Sequence, residues 1–159
     1  MRPDILEARI SAPFGTLAVR VSEEAVVAID FRQAGLPAIA AEGPLVRRVI
    51  ERLQRYFEDP SQPFDLPLSP AGTPFQQRVW QALVGIPAGD VITYGDLAHR
   101  LGAAPRAVGQ ACARNPIPIV IPCHRVVARK GPGGFMGGPE AHPIKLWLLE
   151  HEQRVVKRS

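Results

Sequence analysis

The chain has 159 residues, 46% of them hydrophobic, with a formal net charge of +4 and only two cysteines. This suits one soluble globular unit, or a small unit joined to a modest one. It leaves no membrane span, because the longest apolar stretch, Ile117 to Ile121, is broken by Pro118 and falls far short of the roughly 18 to 20 residues required. Cys112 and Cys123 are too few for a disulfide scaffold or a thiolate zinc site.

The N-terminal stretch MRPDILEARIS has no signal-peptide apolar block and carries Asp4 and Glu7, so a cytoplasmic location is expected. Short alternating runs follow at Ile5 to Ile10, Leu17 to Val21 and Ala25 to Phe31, punctuated by APFGT and SEE. They predict an antiparallel meander of three strands. From Leu45 the apolar residues Val46, Val49, Ile50, Leu53, Tyr56 and Phe57 recur at helical spacing, with Arg47, Arg48, Glu51, Arg52 and Arg55 on the other face. The proline-rich stretch SQPFDLPLSPAGTP then reads as a linker, dividing an N-terminal part, 1–70, from a C-terminal part, 71–159.

Thr73, Pro74 and Gln76 form a capping-box signature for a helix carrying Phe75, Val79, Trp80 and Leu83. Thr93 caps a second helix, Tyr94 to Leu101, which Gly102 stops. Pro105 starts a third, running to Asn115, where a left-handed terminal residue and Pro116 end it. Two short helices joined by a tight turn are the pattern of a helix-turn-helix. The second, PRAVGQACARN, is lean at Ala107, Gly109, Ala111 and Ala113, which permits close approach of its backbone to a partner. Charge points the same way. Residues 1–70 hold eight Arg against ten acids, whereas 71–159 hold eleven Lys or Arg against five. No acid occurs between Leu97 and Pro139, where Arg100, Arg106, Arg114, Arg125, Arg129 and Lys130 all fall. An acid-free run of this length suits a polyanion, with nucleic acid ahead of membrane.

After Asn115 the prolines of PIPIVIP predict an extended path delivering Cys123. Cys123 is followed by His124 and Arg125, cations or bases that favour a thiolate nucleophile. On an extended chain neighbouring side chains point apart, so His124 reaches Cys123 only if the backbone turns or a water bridges them. An imidazole base also wants a carboxylate to orient it. Glu150 and Glu152, on a final helix beginning near Pro143, are both available, and spacing does not choose between them.

GTPFQQRVWQALVGIPAGDVITYGDLA, RAVGQACARNPIPIVIPCHRVV and KLWLLEHE together resemble the O6-alkylguanine-DNA alkyltransferases, and SAPFGTLAVRV and FDLPL do so more loosely. The resemblance covers most of the chain. It implies an α+β fold: a small N-terminal antiparallel sheet with a helix, then a mostly helical winged helix-turn-helix domain carrying the active-site cysteine. It implies stoichiometric, irreversible transfer of an alkyl group from O6-alkylguanine, and from O4-alkylthymine, after the nucleotide is flipped out through the minor groove. Cys123 matches the acceptor, His124 the base acting through a water, and Glu152 the carboxylate orienting it. Asn115 matches the asparagine tying the recognition helix to the active segment. Tyr94 matches the tyrosine that rotates the phosphate and contacts the flipped guanine. Arg106 matches the arginine filling the vacated stack, with Ala107, Gly109 and Arg114 on the same DNA-facing helix. Val126, Phe135 and Met136 match pocket positions. The implied partner is double-stranded DNA containing O6-alkylguanine, bound by a monomer, with cooperative binding left open and with no membrane, cofactor or catalytic metal.

Three features depart from the family pattern. Phe135 stands where Tyr is common, PEAHPI at 139–144 is longer than usual, and LGAAPR at 101–106 is shorter. Two other functions remain open at this level. A lesion-binding or winged-helix module without chemistry would do without Cys123, and a cysteine hydrolase would leave the Arg106 helix unexplained.

Overall fold

The computed structural model describes residues 5–37, 43–131, 133–134 and 142–156. Its N-terminal sheet has the order β1 (Leu6–Ala12), β2 (Gly15–Val21), β3 (Val26–Arg32), antiparallel throughout. The register pairs Ala12 with Gly15 and Leu6 with Val21, so only Pro13 and Phe14 form the first turn. Gly15 has φ +150, and a Cβ there would stand 2.8 Å from the Arg32 carbonyl oxygen, which restricts the position to glycine. The central strand is buried at every position except Arg20. The outer edge of β3 is covered: Ile29 N–H donates to Pro116 O at 2.9 Å, while Val26 exchanges backbone bonds with Pro67 and Ser69, also at 2.9 Å. Unpaired strand edges invite association, and here the linker and the segment beginning at Pro116 close this one.

Helix α1 (Pro44–Glu58) buries Val46, Val49, Leu53 and Tyr56, the face that its periodicity marks. Arg48 and Arg52, on the opposite side, donate to the carbonyls of Asp65 and Phe64 and fasten the linker to the helix. Helix α2 (Pro74–Val84) begins with the expected capping box: Gln76 N–H donates to Thr73 Oγ1 at 3.1 Å, and Thr73 N–H to Gln76 Oε1 at 2.9 Å. Such a cap contributes about 1 kcal/mol. Thr73 is followed by a helix whose Trp80 is buried and donates Nε1–H to Ala111 O at 2.9 Å.

Helices α3 (Tyr94–Leu101) and α4 (Pro105–Ala113) form the helix-turn-helix pair, with Gly102 in the left-handed region at φ 64. A short parallel pair, β4 (Ile92–Thr93) with β5 (Val126–Val127), lies beside it. Helix α5 (His142–Val156) closes the structure. The apolar core is continuous from Ala8, Leu17 and Leu53 through Trp80 and Val108 to Ile117 and Leu148. This is the α+β arrangement anticipated from the sequence. No helix among the described residues is long and apolar enough to cross a membrane.

Two local expectations are corrected. Helix α4 ends at Ala113, with Arg114 as its cap at φ −98, and Asn115 is not left-handed. The following PIPIVIP segment is folded, with Ile121 N–H donating to Ile117 O at 2.9 Å and Ile119 at φ 73. The cause of both is the Asn115 side chain, which binds the backbone of this segment and competes with any extended path.

Candidate active site

Asn115, only 2% exposed, accepts from Ile117 N–H at 2.9 Å and donates Nδ2–H to Ile121 O at 2.8 Å. One amide thereby folds the loop that leads to Cys123. Ile119 bears the conformational cost, about 1–3 kcal/mol for a non-glycine residue in the left-handed region. Its complete burial offsets that, since enclosing an Ile side chain contributes about 1.5–3 kcal/mol.

Past Pro122 the chain makes a single turn of 3-10 helix, Cys123–Arg125, closed by Arg125 N–H to Pro122 O at 3.0 Å. Successive side chains in such a turn lie about 120° apart, so Cys123 and His124 are no longer forced to opposite faces. The turn supplies the backbone bend that adjacency requires. All three side chains are buried.

His124 is fully enclosed, and its Nε2 lies 2.6 Å from Glu152 Oε2 on α5. Glu152 therefore prevails over the exposed Glu150 as the carboxylate partner. Burial holds the imidazole below its ordinary pKa, against the pull of the Glu152 hydrogen bond. A carboxylate can only accept, so a neutral His124 carries its proton on Nε2 and keeps a lone pair on Nδ1. Nδ1 is buried and has no hydrogen-bond partner among the described residues. It is a proton acceptor held ready.

Arg125 departs from expectation. The sequence places it among the cations beside the thiol, yet the guanidinium turns inward, donating from Nε to Glu152 Oε1 and from Nη2 to Glu152 Oε2, both at 2.9 Å, and from Nη1 to Ile86 O. Burial alone would raise the Glu152 carboxyl, but the hydrogen bonds from His124 and Arg125, with the Arg125 charge, outweigh it and hold it well below the usual carboxylate range. The other five cations of the acid-free run, Arg100, Arg106, Arg114, Arg129 and Lys130, are exposed. None of these five forms an ion pair among the described residues.

The thiol is also not a resting thiolate. Burial pushes Cys123 up to about 11, with the Asn115 amide and the Lys145 ammonium opposing the rise. Cys112, buried on α4, is pushed up to about 12, mainly by burial. Iodoacetamide labelling of Cys123 in the free protein should therefore climb about tenfold per unit between about pH 7 and 10, following the thiolate fraction. Peptide mass spectrometry reads this directly, and a plateau already reached at neutral pH would contradict a neutral resting thiol.

Tyr94, at the start of α3, donates to Gly134 O at 3.3 Å. Burial, then the nearby Cys112 and Cys123, push its hydroxyl up to about 12, so it remains a donor. A Cβ on Gly109 would come within 3.9 Å of the Tyr94 ring, which places the lean α4 beside it. Arg106 and Arg114 are exposed on α4, and Ala107 and Gly109 are half-buried between them. Val126 is buried, and its carbonyl accepts from Lys145 Nζ at 2.7 Å. Phe135, Met136 and 139–141 lie outside the described residues; the rest of the 139–144 stretch begins α5.

The structure thus brings Cys123, His124, Asn115 and Glu152 together in the interior, with Tyr94 near them, and sets Arg106 and Arg114 on the adjoining surface. Sequence reasoning missed two members of this group. Lys145 is buried, ties Val126 O to Gly134 O at 2.8 Å, and lies over the Tyr94 ring at 5.7 Å. Burial brings its ammonium down to about 8. Tyr56 reaches Glu152 from α1. The available signal for Lys145 was its place as the only cation in the apolar run IKLWLL; Tyr56 offered none, since its ring fits a helix core face. Among the described residues no cluster suits a metal ion.

Comparison with known proteins shows what the chain is similar to. The family described as the DNA-binding domain of 6-O-methylguanine DNA methyltransferase matches residues 74–154. The methylated-DNA-protein-cysteine methyltransferase of Shigella flexneri is 40% identical over 168 residues, covering 93% of this chain and 95% of its own length. The constitutive methylated-DNA-protein-cysteine methyltransferase of Bacillus subtilis is 37% identical over 151 residues, covering 89% and 91%. Among solved structures, the O6-methylguanine methyltransferase of Mycobacterium tuberculosis superposes with a TM-score of 0.83 at 33% identity, over 95% of this chain and 94% of that one. The Mycobacterium tuberculosis protein in complex with DNA gives 0.79 at 35%, over 92% and 91%.

Proposed function

Because the chain belongs to the methylated-DNA-protein-cysteine methyltransferase family, we propose that it repairs duplex DNA by moving the alkyl group of O6-alkylguanine, and of O4-alkylthymine, onto Cys123. The observation that carries this reading is the buried Cys123 thiol on the same helical turn as His124, whose Nδ1 is unpartnered among the described residues while Nε2 is fixed by Glu152. The O6 substituent lies within the duplex stack, so the nucleotide must be extruded, at a cost of a few kcal/mol. Arg106 fills the gap, its guanidinium stacking where the base stood. Tyr94, a donor throughout, rotates the phosphate and contacts the displaced guanine, while main-chain groups of Cys123 and Val126 read its edge.

In the transfer step the thiol proton passes through a water to His124 Nδ1, and Glu152 and Arg125 stabilise the imidazolium formed. Sulfur then attacks the alkyl carbon, the bond from that carbon to O6 breaks, and the departing guanine anion takes one proton from water while the imidazolium returns the thiol's proton to solvent. The product is a thioether, which has no carbonyl for water to attack, so each chain acts once. No cofactor enters this balance. Residues 1–70 form the supporting part and 71–159 the reactive one, acting as a cytoplasmic monomer on DNA.

The test is incubation with a duplex oligonucleotide containing one O6-methylguanine, followed by intact-protein and peptide mass spectrometry. One methyl group per chain, located at Cys123 and absent from Cys123→Ala, is expected. A bare Cys123 beside repaired DNA, or many lesions repaired per chain, overturns the reading. Arg106→Ala should slow repair of duplex by about tenfold or more, the equivalent of the 1–3 kcal/mol typical of one specific contact, while attack on the free base O6-benzylguanine changes little. Equal losses on both substrates would remove Arg106 from the stack.

A further inference from the structure

We infer that Tyr56, from the N-terminal part of the chain, is a positioning residue for alkyl transfer, its hydroxyl sharing Glu152 Oε2 with His124 and so setting how tightly the imidazole holds a proton. The inference rests on the reading of His124 as the base.

Packing explains the ring of Tyr56 and leaves the hydroxyl over. The ring stacks on Phe64 with centroids 5.5 Å apart and meets Phe57 and His151 edge-on. A phenylalanine would fill the same space. The hydroxyl, however, donates to Glu152 Oε2 at 2.5 Å across 96 positions of sequence. Helix α5 holds this residue at both ends, because His151, next to Glu152, has Nε2 2.7 Å from the Tyr56 carbonyl oxygen. The reach of the hydroxyl is thus fixed relative to the carboxylate it meets.

Glu152 is saturated by these contacts. Oε2 receives Tyr56, His124 Nε2 and Arg125 Nη2, while Oε1 receives Arg125 Nε. Burial, reinforced by the Glu152 charge, raises the Tyr56 phenol well above its ordinary pKa, so it donates and does not ionise. Each donor on Oε2 withdraws negative charge from the oxygen that His124 faces. Without the phenol that oxygen is more negative, the imidazolium is favoured, and His124 becomes protonated at higher pH. Among the described residues, the charged and titratable groups around the pair are Cys123 and Arg125 from the 3-10 turn, Lys145 and His151 from α5 and Tyr56 from α1. Only the last changes in the test below.

The experiment measures the single-turnover methyl-transfer rate from O6-methylguanine duplex, at saturating protein, across the acid limb of the pH profile. For Tyr56→Phe the midpoint should move up by about half to one pH unit, slowing transfer about three- to tenfold on the acid side and less than about threefold on the plateau. 3-Fluorotyrosine placed at position 56 alone, a stronger donor of nearly the same shape, should move the midpoint down. A uniform slowing with the midpoint unmoved overturns the inference and leaves Tyr56 as packing. If Tyr56→Phe does not fold, an unmoved midpoint in the fluorotyrosine protein overturns it equally. His124→Gln separates the two levels: an intact acid limb there sinks the base assignment itself, whereas its loss alongside an unmoved Tyr56→Phe midpoint sinks only the role of Tyr56.

Discussion

Glu152→Gln should destabilise the protein by about 3–5 kcal/mol, because it leaves the Arg125 guanidinium enclosed without its counter-charge. Arg125 is 7% exposed and makes two charge-assisted bonds to Glu152. The variant amide keeps the shape but presents N–H groups to a donor. Urea unfolding at neutral pH measures the loss, and a change under about 1 kcal/mol would show that Arg125 finds adequate compensation at Ile86 O alone. The pH dependence follows from the depressed Glu152 carboxyl. A group ionised more readily in the folded state contributes its full stabilisation above its unfolded pKa, about 4.3 for Glu, and loses it as pH falls toward the folded value. The gap between wild type and Glu152→Gln should accordingly be constant near neutrality and narrow below about pH 4. Transfer should fall too, by roughly the 10²–10⁴-fold associated with general base catalysis, since the imidazolium loses the anion that stabilises it.

Local rules made most of the fold legible. The three strands, the amphipathic α1, the Thr73–Gln76 capping box, and the Thr93 and Gly102 boundaries of α3 all follow from nearest neighbours in sequence, and all stand in the structure. The acid-free run was legible as a surface, except that Arg125 within it turns inward, since nothing in a charge pattern distinguishes a solvated cation from one that meets a carboxylate 27 positions away. Glu152 itself could not be separated from Glu150 by spacing; the resemblance chose it, and the orientation of α5 supplies the reason. Tyr56 and Lys145 were least visible. Their polar atoms act across long sequence separations, while their rings and methylenes satisfy the same apolar periodicity as ordinary core residues. The proline count after Asn115 misled for a related reason: proline removes donors, but it does not decide between extended and turned backbone once a side-chain amide offers hydrogen bonds.

That amide carries the second large effect. Asn115→Ala should leave the buried Ile117 N–H without its acceptor, at about 1–3 kcal/mol, and take from Ile121 O one of its two donors, the Cys123 N–H at 2.8 Å remaining. The left-handed Ile119 would then relax toward the extended path that PIPIVIP otherwise favours, carrying Cys123 away from His124. A displacement of about 1 Å at a reacting atom is enough to slow transfer by about 10²-fold. Asn115→Asp discriminates a hydrogen-bonding role from a packing one. It preserves size and the acceptor for Ile117 N–H, yet turns the donor to Ile121 O into an oxygen facing an oxygen in a buried site. It should therefore be no more stable or active than the alanine variant, as read by urea midpoint and single-turnover rate. An aspartate protein matching wild type in both would mean that the loop holds its turn without Asn115, and that the bend delivering Cys123 originates in the 3-10 turn alone.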